Sequence, residues 1–222
     1  MRFRDRVEAG KLLAEELSAL KGREDVVVLA IPRGGVVVGY QVAKHLGCLL
    51  GVYITRKLGA PGNPELAIGA VASDGDVFLD EMAVNQLGVD SQYLEAEVAR
   101  QREEIKRRLA RYWGERAPME IKGKTVILVD DGVATGATVL ASIRAIRRQE
   151  PAELILAIPV GPPDTIQRLK HEVDRVVVLS APAFFWAVGE FYDVFDQTSD
   201  GEVVALLAQS SQEVGQPGGE KH

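Results

Sequence analysis

Residues 126–138 read VILVDDGVATGAT, and the order of residue types in this stretch decides the fold class. Val126, Ile127, Leu128 and Val129 form an apolar run bounded by polar residues. Such a run fits a central strand of a parallel sheet, covered on both faces. Ligands of open α/β sheets bind beyond the carboxyl ends of the strands. Asp130 and Asp131 stand at that end, followed by Gly132. Successive strand residues point to opposite faces. Two adjacent aspartates therefore share a ligand only if the chain has already left the strand, and Gly132 makes that easy. Val133, Ala134, Thr135, Gly136, Ala137 and Thr138 then open a predicted helix over 137–148.

The two halves of this segment suit different groups. Paired carboxylates accept hydrogen bonds from paired hydroxyls or bind hydrated Mg²⁺. They also stabilise positive charge developing on a nearby carbon. The N–H groups at a helix start attract an anion, and small side chains let phosphate oxygens reach them. The hydroxyls of Thr135 and Thr138 add donors. The competing reading is a helix capped by Thr135 or Thr138, with both acids merely solvated. Two other phosphate motifs do not fit. A Walker loop needs lysine where Ala137 stands, and Gly132 and Gly136 have the wrong spacing for a dinucleotide fingerprint.

Outward from this centre, short apolar runs alternate with helical patterns. The whole reads as an α/β fold, a Rossmann-like parallel sheet flanked by helices. Strands are predicted at 26–31, 49–55, 125–130, 154–160 and 176–179, and a hairpin at 67–72 and 77–80 around Ser-Asp-Gly-Asp. Helices are predicted at 4–20, 36–46, 91–113, 137–148, 164–171 and 202–208. Residues 32–35 read as a turn. Residues 56–65 (RKLGAPGNPE) carry two Gly, two Pro and an Asn, which predicts a mobile loop. The 91–113 helix is charged, with Leu94, Val98, Ile105 and Leu109 as a thin apolar stripe. The expected organisation is a core of 1–80 and 120–209, a helical insertion at 81–119, and a disordered polar tail at 210–222.

The 222 residues are 46% hydrophobic and 26% charged, ordinary for a globular protein. No apolar run approaches the roughly 18 residues of a membrane span, and the Arg-rich start lacks a signal-peptide core. A cytoplasmic protein without membrane association is expected. The net charge of −6 argues against nucleic acid as the main ligand. The single Cys48 lies in an apolar run and cannot form an internal disulfide. His45, His171 and His222 show no metal-ligand spacing.

VILVDDGVATGAT resembles the phosphoribosyl-pyrophosphate signature of type I phosphoribosyltransferases: four apolar residues, two acids, a short variable stretch, then Thr-Gly, a small residue and Thr. The resemblance implies that fold with a small helical hood. It implies that Asp130 and Asp131 hold the ribose hydroxyls, and that Val133, Ala134, Thr135, Gly136, Ala137 and Thr138 bind the 5-phosphate. Arg33, Gly34 and Gly35 look like the diphosphate loop, and Arg56-Lys57 like the start of the flexible catalytic loop. The similar core runs from about Val26 to Leu179.

The implied reaction transfers phosphoribosyl to a nitrogenous base with release of diphosphate. Asp130, Asp131, Arg33, Arg56 and Lys57 are its candidate catalytic groups. Mg²⁺ is the implied cofactor, held mainly through substrate and water, with Asp130 and Asp131 as side chains able to add ligands. The base stays unassigned. The Ala134 pattern is closer to adenine-type members, whereas Arg-Gly-Gly followed by Val36-Val37 looks like the bacterial xanthine–guanine type. Members acting on 6-oxopurines usually carry an aspartate at the position of Ala134. The hood is either the 81–119 insertion or the aromatic stretch 184–195, where Phe185 or Trp186 would stack on a base or else be buried in a core or interface. A homodimer is expected by resemblance. Since alanine transfers no proton, a non-catalytic phosphoribosyl-pyrophosphate-binding regulator is the alternative.

Overall fold

The computed structural model describes residues 1–114 and 119–214. The Asp5 carboxylate accepts the Glu8 N–H at 2.8 Å and caps α1 (Arg6–Glu16), which a short 3₁₀ turn, Ser18–Leu20, continues. β1 (Val26–Ala30) is buried throughout. α2 (Gly34–Leu46) ends at Gly47, whose φ of 71° is cheap only for glycine. Next come β2 (Leu49–Val52), β3 (Thr55–Ala60), β4 (Asn63–Ala72) and β5 (Val77–Leu79). α3 (Glu81–Gln86), α4 (Ser91–Trp113), β6 (Thr125–Val129) and α5 (Ala137–Arg148) follow. β7 (Glu153–Val160), α6 (Pro163–Lys170), β8 (Arg175–Ser180), a 3₁₀ turn (Val188–Phe191) and α7 (Asp200–Val214) complete the described chain.

Five strands form a parallel sheet in the order β2-β1-β6-β7-β8. β6 is central and pairs with β1 and β7 in continuous parallel register. Val126, Ile127, Leu128 and Val129 are all fully buried, as a strand covered on both faces requires. Alternate residues feed opposite clusters. Val126 and Leu128 pack with Val139, Ile143 and Ile146 of α5, whereas Ile127 and Val129 pack with α1, α2 and α7. The carboxyl ends of β1 and β6 thus open at one edge of the core, with a helix start beside each.

β3, β4 and β5 form a separate antiparallel sheet, and here the sequence expectation fails. Residues 56–65 are not an open loop. Most of them lie in the β3–β4 hairpin. Leu58, Ala60 and Ile68 are buried and give the hairpin an apolar face. The glycines and prolines are absorbed by irregularities in it. The register shifts around Gly59, where a Cβ would lie 2.7 Å from Cα of Pro64. Pro64 itself lies outside the part of β4 that pairs with β5.

The predicted 67–72/77–80 hairpin is present as β4–β5, and α4 has its predicted bounds. α4 packs against β3, β4 and α7. The predicted tail begins too early, since α7 runs to Val214 and buries Ser210. Ser and Gln are tolerated there because the apolar stripe of Val203 and Leu207 continues to dock that helix. Residues 215–222 of the expected tail lie outside the described residues. Among the described residues no helix is long and apolar enough to cross a membrane.

Candidate functional site

Immediately after β6 the chain leaves the strand, and both acids lie half-buried at its end. The Asp131 N–H donates to Asp130 Oδ1 at 2.8 Å. Burial, and next the charge of Asp131, push the Asp130 carboxyl well above the ordinary aspartate range. The turn predicted at 32–35 is shorter than expected, Pro32-Arg33 only, because Gly34 and Gly35 already open α2. This Arg33-Gly34-Gly35 segment presses against the two acids, and the Pro32–Arg33 peptide is cis. A Cβ on Gly34 would lie 1.9 Å from Asp131 Oδ2, and one on Gly35 would lie 2.9 Å from Cα of Asp130. Only glycine permits that approach. Two sequence-distant segments are therefore brought into one site by backbone proximity.

Beyond Gly132, Ala134, Thr135, Ala137 and Thr138 are exposed, whereas Val133 and Gly136 are buried. Gly136 adopts φ 73°, and a Cβ there would meet Thr165 at 2.8 Å. No side chain caps α5, which disposes of the capped-helix reading of Thr135 and Thr138. The first-turn amides of α5 have no intrahelical acceptor and face outward. The loop is fastened from behind instead. Val133 N–H donates to Val160 O at 2.9 Å, Thr165 Oγ1 donates to Ala134 O at 2.9 Å, and Arg168 donates to Thr135 O. Apart from the Val133 N–H, which is taken by Val160 O, the cradle is fastened by its carbonyls.

The predicted cations do not gather at the acids. The Arg33 guanidinium is turned to α7, 4.0 Å from Asp200, which also pairs with Arg111 at 2.7 Å and accepts from Tyr112 at 2.6 Å. Arg56 and Lys57 lie on a strand and so take opposite faces. Arg56 Nε donates to Gln101 of α4 at 3.0 Å and lines a groove with Arg100, Lys106 and Arg107. Lys57 shares its face with Thr55, whose hydroxyl meets Ser142 of α5 at 2.7 Å, and lines a groove of about 660 Å³ with Thr138 and Arg144. Of the two, Lys57 stands on the phosphate-cradle side.

The cation beside the acids is one the sequence did not single out. Phe3 and Arg4 pair with the segment around Tyr192: Phe3 N–H donates to Phe191 O at 2.8 Å, and Val194 N–H to Arg4 O at 2.9 Å. This pairing delivers Arg6, the first residue of α1, to Asp131 at 2.7 Å. Tyr192 donates its hydroxyl to Asp131 O at 2.6 Å. Arg6 looked like an ordinary helix-start residue, and only its distance from any apolar stripe could have flagged it.

The aromatic stretch divides. Phe185 stacks on Phe191 at 5.2 Å and Tyr192 on Phe195 at 5.0 Å, so these rings pack among themselves. Phe184 and Trp186 are 89% and 87% exposed. The same segment adjoins the acids, since a Cβ on Gly132 would lie 2.6 Å from Val188.

As to a metal, the donors at the end of β6 are oxygens only, a set that suits a hard divalent cation. Among the described residues no group of three or more His, Cys, Asp or Glu could hold a metal. A cation here would depend on ligand oxygens and water as well as on Asp130 and Asp131.

A family model described as the phosphoribosyl transferase domain matches residues 5–194. A Mycobacterium tuberculosis (strain H37Rv) protein, Rv0571c, whose name assigns it provisionally to the phosphoribosyl transferases, is 42% identical over 216 residues. Its counterpart in strain CDC 1551, MT0597, is equally similar. The alignment covers 97% of the chain but only 48% of each relative, so the chain spans about half their length. The crystal structure of TT1426 from Thermus thermophilus matches with a TM-score of 0.83 at 47% identity, covering 94% of this chain and 99% of that one.

Proposed function

The chain belongs to the phosphoribosyl transferase domain family, and from that premise we propose that it binds phosphoribosyl pyrophosphate with Mg²⁺ and transfers phosphoribosyl to a nitrogenous base. The observation that carries this reading is the uncapped start of α5, placed directly after a half-buried acidic pair that the Arg33-Gly34-Gly35 turn touches. An anion cradle, a hydroxyl acceptor and a second glycine turn in one contiguous site match a phosphorylated sugar carrying a diphosphate.

In this reading the outward amides of α5, with Thr135 and Thr138, hold the 5-phosphate. The acids at the end of β6 hold ribose hydroxyls and favour positive charge on the ring as the bond to diphosphate breaks. Amides of the Arg33-Gly34-Gly35 turn meet the diphosphate, and Lys57 approaches from the hairpin. When bound, Mg²⁺ supplies charge neutralisation to the departing diphosphate. Of the two rings expected to stack on the acceptor base, Trp186 is exposed, whereas Phe185 is occupied by Phe191. This makes 184–195, rather than the 81–119 insertion, the hood. Ala134 offers no proton to the base, so acceptor activation is left to the base's own nitrogen. The core and insertion boundaries, a homodimer and a cytoplasmic location belong to the same proposal.

Diphosphate release from phosphoribosyl pyrophosphate and Mg²⁺, across a panel of purine, pyrimidine and other nitrogen bases, tests it. Stimulation by one class of base is expected. No stimulation by any base, together with tight Mg²⁺-dependent binding without turnover, would replace transfer by a binding-only regulator.

A further inference from the structure

On the face of β3 turned away from the cradle, Arg56 is half-buried where the strand lies against α4. Gln101 Oε1 accepts its Nε–H at 3.0 Å. Gln101 is itself buried and fixed, since its amide donates to Glu97 Oε1 at 2.9 Å. The guanidinium is thus held by one edge, and among the described residues no carboxylate pairs with it. The neighbouring acids are engaged elsewhere. Glu97 pairs with Arg100 at 2.7 Å, and Glu104 with Arg107 at 3.0 Å and Arg108 at 2.8 Å. Burial, and next the charge of Arg108, push the Arg56 guanidinium below its ordinary range. A half-buried cation beside other cations, with no acid of its own, carries a desolvation cost that a bound anion would offset.

The surroundings are shaped to receive one. Arg56, Arg100, Lys106 and Arg107 line a groove of about 590 Å³, with Glu103 and Glu104 as its acids. This local excess of cations occurs in a chain whose net charge is −6. Ala110 is the apolar lining residue among the described ones, so charge rather than apolar area carries recognition there.

We infer that the β3–α4 groove is a second anion site, apart from the cradle at α5, and that it takes the phosphate chain of an inorganic polyphosphate or a nucleoside triphosphate. A guanidinium with a free amino edge meets two phosphate oxygens at once. Several cations along one groove suit linked phosphates better than a single carboxylate. Arg56 anchors the chain of phosphates, and Lys106 and Arg107 meet its outer charges. The bound anion ties the β3–β4 hairpin to α4. None of this depends on the phosphoribosyl reading, and the groove binds its anion whether or not the chain transfers phosphoribosyl.

The test follows the Arg56 Nε–H resonance of the ¹⁵N-labelled full chain during titration with tripolyphosphate. A local resonance separates this groove from the cradle, which takes phosphate too. A saturable shift is expected, with the melting temperature rising as the groove fills. Lys106→Gln, an exposed substitution, should weaken the midpoint about 3-fold. Arg56→Gln, read at the Arg107 Nε–H, should weaken it about 10-fold or more. An Arg56 resonance that does not move at millimolar tripolyphosphate overturns the site. So does a midpoint that Lys106→Gln and Arg56→Gln both leave unchanged. Citrate acting at as low a concentration as tripolyphosphate overturns the phosphate assignment. Adenosine triphosphate acting at the same concentration places recognition in the phosphate chain, and acting at a lower one adds the nucleoside to it.

Discussion

Two pairs of adjacent charged residues, Asp130-Asp131 and Arg56-Lys57, make an instructive contrast. Each pair stands at a strand, and each invites a shared role. The acids follow β6, where the chain has turned away from the sheet, and they lie side by side against the Arg33-Gly34-Gly35 turn. The cations lie within β3, where pleating sends neighbours to opposite faces, Arg56 to α4 and Lys57 towards α5. Adjacency in sequence becomes adjacency in space only where the strand has ended. Two charged residues in a row are thus a pair or a division depending on a boundary of one or two residues.

The sharpest way to break this contrast is at the acids. Asp130→Asn should reduce kcat/KM for phosphoribosyl pyrophosphate by about 100-fold or more without lowering the melting temperature, since a buried carboxylate disfavours its own charge. A loss below about 3-fold would deny the acids any joint site. Next in size, Gly34→Ala places a methyl on Asp131 Oδ2 and should cost about 1–3 kcal/mol in denaturant unfolding, with binding lost alongside. Unchanged stability would mean that the glycine turn does not press on the acids.

The cations offer a finer test. Lys57→Ala should raise KM for the phosphosugar about 10-fold, the loss expected of one charge-assisted contact. Arg56→Ala should mainly cost stability, about 1 kcal/mol for its bond to Gln101. Equal kinetic effects would show that β3 opens when ligand binds. Trp186→Ala should change stability by less than about 0.5 kcal/mol while raising KM for the acceptor base several-fold.

The smallest effect concerns α4, against which Arg56 packs. Hydrogen bonds from Arg107, then Arg108, hold the Glu104 carboxyl down to about 2. Tyr112 in the first place, with Arg111 and Arg33, lowers Asp200 as well. Both pKa values are depressed in the folded chain, but the Glu104 bonds stay within α4, so docking on α7 rests on Asp200. That support is complete above the ordinary aspartate range and fades only as pH falls below it. Trp113 fluorescence in a Trp186→Phe background should therefore report α4 still docked at about pH 4 and released only at pH below the ordinary aspartate range. Release already at about pH 4 would show that the contacts of Arg111 and Tyr112 with Asp200 are loose.

Much of the chemistry was legible because it is local. VILVDDGVATGAT carries its strand, its exit and its helix start within 13 residues, and apolar runs announce β1, β6 and β7 without outside help. Local composition misled at 56–65, where glycine and proline signalled a loop but buried Leu58 and Ile68 hold a hairpin. The same excess of polar residues hid the last turns of α7.

The sequence by itself determined a parallel α/β core, an acidic pair beyond a central strand and a helix start behind it. Each follows from side-chain period and backbone chemistry over a few residues. Tertiary structure alone decided which cation meets which acid. Arg6 reaches Asp131 across 125 positions because a short pairing of the first residues with the Tyr192 segment carries it there. Arg33, close behind the end of β1, faces Asp200 instead. Such partners depend on how distant segments pack, and neither their spacing nor their composition encodes it.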